Sequence, residues 1–271
     1  MSLGGNNYVT AGNFLWRISM NGEELKIKWK QDENKSFEGW DFSYLADRWE
    51  TEKLPWNYKK IVKNYLKPEH QLLDMGTGGG EFLLTLKHPY KNTAVTEMWE
   101  PNVKLCKETL SPLGINVKQV YRDDELPFEE NTFDLVINQH ESYDVNEVKR
   151  ILKPNGLFIT QQVGSKNNEK LSNFLIDDFK PDFTENNLDN RVQELQENSF
   201  EILSQEEYFP YLHFFDVGAI VYFAKVIEWE FPGFTVEKNF DKLYDLEQKL
   251  QEKNYIESLE HRFIILAKNR K

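Results

Sequence analysis

The sequence predicts an α/β fold, on three observations. The stretch Gln71-Leu72-Leu73-Asp74-Met75-Gly76-Thr77-Gly78-Gly79-Gly80-Glu81-Phe82-Leu83-Leu84 joins the end of a buried strand, a glycine cluster and the start of a helical apolar face. Further on, the strand-like runs Thr93–Thr96, Ile115–Tyr121 and Thr132–Ile137 alternate with helical patterns over Pro101–Leu110 and Val145–Leu152. The chain has 271 residues, of which 39% are hydrophobic. That suffices for one α/β core of roughly 180 to 220 residues, with about 50 to 80 left for caps or insertions.

Taken in order, Phe14–Met20 and Glu23–Trp29 flank Asn21-Gly22, a pairing that predicts an N-terminal β-hairpin whose Trp16, Ile18, Leu25, Ile27 or Trp29 must pack on something larger. The aromatic-rich segment Trp40–Trp56 is read as a short helix over Tyr44–Trp49, capped by Asp41 or Ser43, and Pro55 then opens a helix over Trp56–Leu66. Thr93–Thr96 ends at Glu97, 23 residues past Asp74, where an acidic residue holds a ribose diol in dinucleotide-type turns. Met98 follows and offers an apolar contact to a flat ring.

After the third strand comes Asp123-Asp124-Glu125-Leu126-Pro127-Phe128, and after the fourth Asn138-Gln139-His140-Glu141-Ser142-Tyr143-Asp144. Ligands of open α/β sheets bind beyond the carboxyl ends of strands, so His140 and Glu141 are the candidate catalytic pair: a histidine to accept a proton, and a carboxylate to orient it or to hold a substrate amine. Leu157–Thr160 forms a fifth strand running into Gln161-Gln162, two side chains on opposite faces, so that one of them sees the substrate. Helices are expected over 168–176 and 188–198, and a strand over Phe200–Tyr208. A buried helix capped by Asp216 runs to Trp229, an amphipathic helix covers Asn239–Lys253, and Arg262–Ala267 makes a closing strand.

Composition excludes several classes. A net charge of −12 opposes a general grip on nucleic acid. The single cysteine, Cys106, forbids an internal disulfide and a cysteine-type zinc cluster; it sits at a helical core spacing and no metal is expected. No run reaches the roughly 18 apolar residues of a membrane span and no apolar leader opens the sequence, so a cytoplasmic protein is expected.

The glycines alone are ambiguous, but Asp74, Gly76, Gly78 and Gly80 together spell acidic-x-Gly-x-Gly-x-Gly, and Glu81 stands where nicotinamide folds carry their next glycine. This resembles motif I of the class I S-adenosylmethionine-dependent methyltransferases. Glu97, Leu126-Pro127-Phe128, Phe133-Asp134 and Lys153-Pro154-Asn155-Gly156 follow in that family's order, over residues 41 to 168. The resemblance implies a Rossmann-like, mostly parallel seven-stranded sheet with the last strand antiparallel and a helical insertion before it. It divides the chain into an N-terminal extension (1–40), a core (41–208), a cap or dimerisation insertion (209–260) and a closing strand (261–271). It implies S-adenosylmethionine as cofactor, with contacts from Asp74, Gly76, Thr77, Gly78, Gly80, Glu97, Met98, Asn138 and either Asp123 or Asp124. Arg48 or Tyr44 could reach the cofactor's carboxylate, a surface ion pair being the preferred role for Arg48. The implied function is methyl transfer to a small molecule, with a homodimer through 209–260. A ribosomal or transfer RNA methyltransferase and a non-catalytic S-adenosylmethionine binder are the alternatives.

Overall fold

The computed structural model describes residues 21–37 and 41–271. By its packing the chain divides into two units. One comprises residues 51–169, 181–212 and 258–271; the other comprises, of the described residues, 21–37, 41–50, 170–180 and 213–257.

The first unit is built on seven strands: β1 (Leu72–Met75), β2 (Thr93–Glu97), β3 (Asn116–Gln119), β4 (Phe133–Gln139), β5 (Leu152–Val163), β6 (Phe200–Tyr208) and β7 (Arg262–Asn269). Their order across the sheet is β3-β2-β1-β4-β5-β7-β6. β1 pairs in parallel with both β2 and β4, whereas β7 lies antiparallel between β5 and β6. The expected seven-stranded sheet with an antiparallel last strand is therefore present. Both faces of the sheet are covered, as a parallel sheet requires. Leu73, Val136 and Phe158 belong to one apolar cluster, while Leu72, Leu135, Ile137 and Ile159 belong to the other. All four residues of β1 are buried. The strand order reverses between β1 and β4, and the crevice beyond their carboxyl ends is the place where such sheets receive ligands. β7 enters the sheet with Arg262 opposite Val163, so its first residues stand at that same end.

Three short strands, Trp49–Thr51, Tyr211–Phe214 and Ile256–Leu259, pair as a separate sheet in the order first, second, third. No helix among the described residues is long and apolar enough to cross a membrane.

The expected N-terminal hairpin is corrected. Its first arm lies outside the described residues, and its second is a helix, Gly22–Glu33. Asn21 accepts from the Glu24 amide while the Glu24 carboxylate accepts from the Asn21 amide, so Asn21-Gly22 starts a helix with a capping box instead of turning a ribbon. Burial agrees: Leu25 and Trp29 are buried while Ile27 is exposed, whereas a strand would put all three on one face. The helix expected over Tyr44–Trp49 is a single 3-10 turn, Ser43–Leu45, followed by an extended Trp49–Thr51, and the next helix is Tyr58–Tyr65, capped by Asn57.

In the second unit, the helix Val217–Val226 is buried continuously from Val217 to Ala224, and Asp216 caps it by accepting from the Ala219 amide. Arg48 is no surface ion pair: its partners are part of a largely buried network. Its Nε and Nη2 donate to both oxygens of Asp216 at 2.9 and 2.6 Å, its Nη1 donates to Asp32 at 2.9 Å, and its guanidinium lies over the Tyr44 ring. Gly218 leaves the room this network needs, since a β-carbon there would collide with the Asp32 carboxylate. Asp32 is 4% exposed, so removing its partner strands a charge. Arg48→Ala is therefore expected to cost roughly 3 kcal/mol in chemical denaturation, on the scale of a broken buried ion pair. Arg48→Lys, which loses the two-pronged contact to Asp216, should fall between that variant and the parent.

Candidate functional site

The site grows out of the turn after β1. Gly76 and Gly78 take φ of +64° and +62°, a left-handed backbone that admits glycine readily. Gly76 also has no room for a side chain, because a β-carbon would meet the Glu141 side chain at 2.5 Å, while Gly78 faces open space. The Thr77 amide donates to the Thr96 carbonyl at 3.1 Å and the Gly80 amide to the Thr77 carbonyl at 3.0 Å, which fixes the turn against β2. Cys106 packs beneath it, fully buried, with Sγ 3.0 Å from the Gly78 carbonyl oxygen.

Asp74 supports this turn from inside. It is 5% exposed, accepts from the Thr77 hydroxyl at 2.7 Å and does not line the cleft described below. Burial pushes its pKa up to about 7; the Thr77 hydrogen bond opposes the rise and the charge of Glu97 adds to it. The direct attraction of a cationic ligand to an open Asp74 carboxylate is thus replaced by a positioning role. Thr77 and Gly80 likewise act through the shape of the turn.

Glu97 closes β2 and is 6% exposed. One carboxylate oxygen accepts from the Gly78 amide at 2.9 Å, and the other accepts from the Met98 and Trp99 amides, each at 2.9 Å. Beside it opens a small cleft, continuous with solvent. Met75, Met98, Val120 and Leu126 give it apolar walls, and Glu97, Asp123 and Glu141 line it with carboxyl groups. Asp123 lines the cleft, whereas Asp124 is held outside by two hydrogen bonds from Arg122 at 2.8 and 2.6 Å. The Glu141 carboxyl is pushed up from its ordinary pKa by burial first, then by the charges of Glu97 and Asp123.

Asn138 is fully buried and lies outside the cleft. Its Oδ1 accepts from the Gln162 amide at 2.6 Å and the Thr160 hydroxyl at 3.1 Å, and its Nδ2 makes no hydrogen bond. Its carbonyl accepts from the Tyr58 hydroxyl at 3.0 Å. It braces the ends of β4 and β5.

His140 follows at φ +65°, with its amide donating to the Gln161 carbonyl. The ring keeps solvent-accessible surface yet stands deep among protein atoms, and that desolvation, with the Arg262 charge behind it, pushes its pKa down to about 3. Its Nε2 lies 3.1 Å from the Gln161 side-chain nitrogen. A ring so reluctant to take a proton is poorly suited to act as a general base. Trp56 and Gln161 are the residues beside this ring that sequence reasoning missed or left open: the Trp56 indole donates to Gln161 Oε1 at 2.8 Å. Gln161 and Gln162 do choose different partners, as adjacent strand residues should.

Residues 73–160 match a protein family described as a methyltransferase domain. Over these residues the chain carries a methyltransferase domain. An uncharacterized protein of Methanocaldococcus jannaschii is 25% identical over 221 residues, 73% of this chain and 90% of that one. Among solved structures, the YcgJ protein of Bacillus subtilis matches with a TM-score of 0.53 at 17% identity, over 79% of this chain and 98% of that one. A Bacillus halodurans C-125 protein designated provisionally as a methyltransferase gives 0.52 at 16%, over 79% and 99%. These two likenesses are to the fold. Methyltransferases of this fold take their methyl group from S-adenosylmethionine.

The Asp74 environment sets a pH signature for the domain. Its carboxyl holds a proton more tightly folded than unfolded, so its stabilising contribution is complete below the ordinary pKa of 3.8 and is lost as pH rises through about 7. Asp74→Asn, which mimics the protonated form, should therefore gain stability relative to the parent across that window, read as the difference between their denaturation midpoints. A constant difference between pH 4 and pH 7 would contradict the assigned shift.

Proposed function

We propose that the methyltransferase domain binds S-adenosylmethionine in the cleft beside Glu97 and transfers its methyl group to a small-molecule acceptor. The observation that carries this reading is the pair of carboxylates, Glu97 and Asp123, set along a cleft with apolar walls next to a glycine turn that leaves room for a ligand backbone. Glu97 suits a ribose diol, Asp123 an adenine amino group, and Met98, Val120 and Leu126 the faces of the base. The glycine turn suits the amino-acid end of the ligand. Three carboxyl groups favour a ligand carrying a sulfonium and an ammonium and oppose the two phosphates of a nicotinamide dinucleotide.

When bound, the cofactor supplies an electrophilic methyl group. The chain's own contribution is alignment, exclusion of water and, for acceptors that must lose a proton, a carboxylate to take it. Glu141 fits that last task better than His140, since its carboxyl lies against Gly76 with its pKa raised toward neutrality. We further propose a cytoplasmic setting and a homodimer through residues 209–260, the second of which sedimentation equilibrium decides.

Calorimetric titration of the full chain should show binding of S-adenosylmethionine and none of nicotinamide dinucleotides. The reverse result would sink the cofactor assignment. Glu97→Ala should weaken binding by roughly 1.5 to 3 kcal/mol, the scale of hydrogen bonds to a charged group. Asp123→Asn should weaken it as well, whereas Asp124→Asn should leave it unchanged, because Asp124 is committed to Arg122.

A further inference from the structure

We propose that Trp56 and Gln161 lock His140 into its Nδ1–H form, and that this N–H binds an oxygen of the methyl acceptor, a carboxylate or a carbonyl. The inference rests on the methyltransferase reading of the adjoining cleft. Its starting point is a group with no choice: an indole nitrogen can only donate. The Trp56 Nε1 donates to Gln161 Oε1 at 2.8 Å, so the side-chain oxygen of Gln161 faces Trp56 and its nitrogen faces His140. Both Trp56 and Gln161 are buried, at 8% and 4% exposure, and each has its polar groups spoken for. Gln161 Nε2 then donates across 3.1 Å to His140 Nε2, which must present a lone pair. In a neutral imidazole the proton is left on Nδ1.

That Nδ1–H has no hydrogen-bond partner among the described residues, and the ring is accessible to solvent. His140 is also held at φ +65°, a conformation that costs a non-glycine residue energy and that the Gln161 carbonyl secures through the His140 amide. A strained residue, a fixed tautomer and a solvent-accessible donor that no protein group takes up are together the features of a binding group. The sign of the local field completes the argument. The charged group that weighs most on the ring is Arg262, at the start of β7, whose guanidinium is held by Glu260 and Asn167. The carboxyl groups of Glu97, Asp123 and Glu141 line the neighbouring cleft. An acceptor with an electronegative oxygen is therefore received at His140, while the cationic ligand is received at the carboxylates. Trp56 and Gln161 are positioning residues, and His140 is the binding one.

The test is nuclear magnetic resonance of the full chain with 15N-labelled histidine, in which long-range correlations distinguish the two ring nitrogens. The His140 signals are identified by their loss in His140→Gln. The expected spectrum has the proton on Nδ1 and a bare Nε2, with no titration between about pH 5 and 8, the range in which an ordinary histidine titrates. A ring protonated on Nε2, or one that titrates in that range, overturns the lock. Gln161→Glu, whose carboxylate can only accept, should flip the tautomer to Nε2–H and move the titration midpoint upward, and Trp56→Phe should release the ring to a mixture of tautomers. If either variant fails to fold, the parent spectrum still decides. Titration with acetate and with acetamide should shift the Nδ1 resonance, whereas methylammonium at equal concentration should not. A shift with acetate alone assigns a carboxylate, and one with acetamide alone assigns a carbonyl. No shift with either oxygen probe overturns the ligand class. None of these readouts involves methyl transfer or S-adenosylmethionine, so their failure is separate from a failure of the cofactor assignment.

Discussion

The carboxylate of Glu97 is the constraint on which the site depends. It gathers the amides of Gly78, Met98 and Trp99, which belong to the glycine turn after β1 and to the start of the helix after β2. Backbone amides buried without acceptors are costly, and hydrogen bonds to a charged acceptor are among the stronger ones available. A single side chain thus satisfies both loops and holds them at the spacing that forms the cleft. Thr77 donating to Asp74 and the Thr77 amide donating to Thr96 finish the job on the other side of the turn. Gly76 can then approach Glu141 closely, across the point where the strand order reverses.

Around this frame the polar groups divide by role. Asp74 and Asn138 are buried and act as supports, the first beneath the turn and the second between the ends of β4 and β5. Glu97, Asp123 and Glu141 face the cleft and make it acidic. His140 stands apart from them, neutral and tied to Gln161. Both Asp74 and His140 are desolvated, yet in opposite senses: burial makes the carboxyl keep its proton and the imidazole refuse one, since in each case the uncharged form is favoured.

What could be read in the sequence was local. Asp74 to Gly80 is a contiguous turn, Glu97 ends a strand at a fixed interval from it, and β1, β4, β5 and β7 each carry an apolar run, so the seven-stranded fold was within reach. What was missed depends on contacts between distant residues. Asp123 and Asp124 are indistinguishable by composition until Arg122 is seen to claim the second. Trp56 and Gln161 are 105 residues apart, and Arg48 and Asp216 are 168 apart, distances over which no pattern in the chain announces a partner. The hairpin expected at Asn21-Gly22 failed for a different reason. That dipeptide serves a tight turn and a helix cap equally well, and Glu24 three residues on tips it to the cap, with Ile27 exposed between the buried Leu25 and Trp29.

The most direct measurement of the account is a crystal structure of the chain with S-adenosylhomocysteine, which keeps the nucleoside and the amino acid and lacks the methyl group. The account places the adenosine between Met98, Val120 and Leu126, with the ribose hydroxyls on the Glu97 carboxylate and the adenine amino group toward Asp123 but not Asp124. Density for the ligand elsewhere, or a ribose that leaves Glu97 bonded only to its three backbone amides, would contradict it.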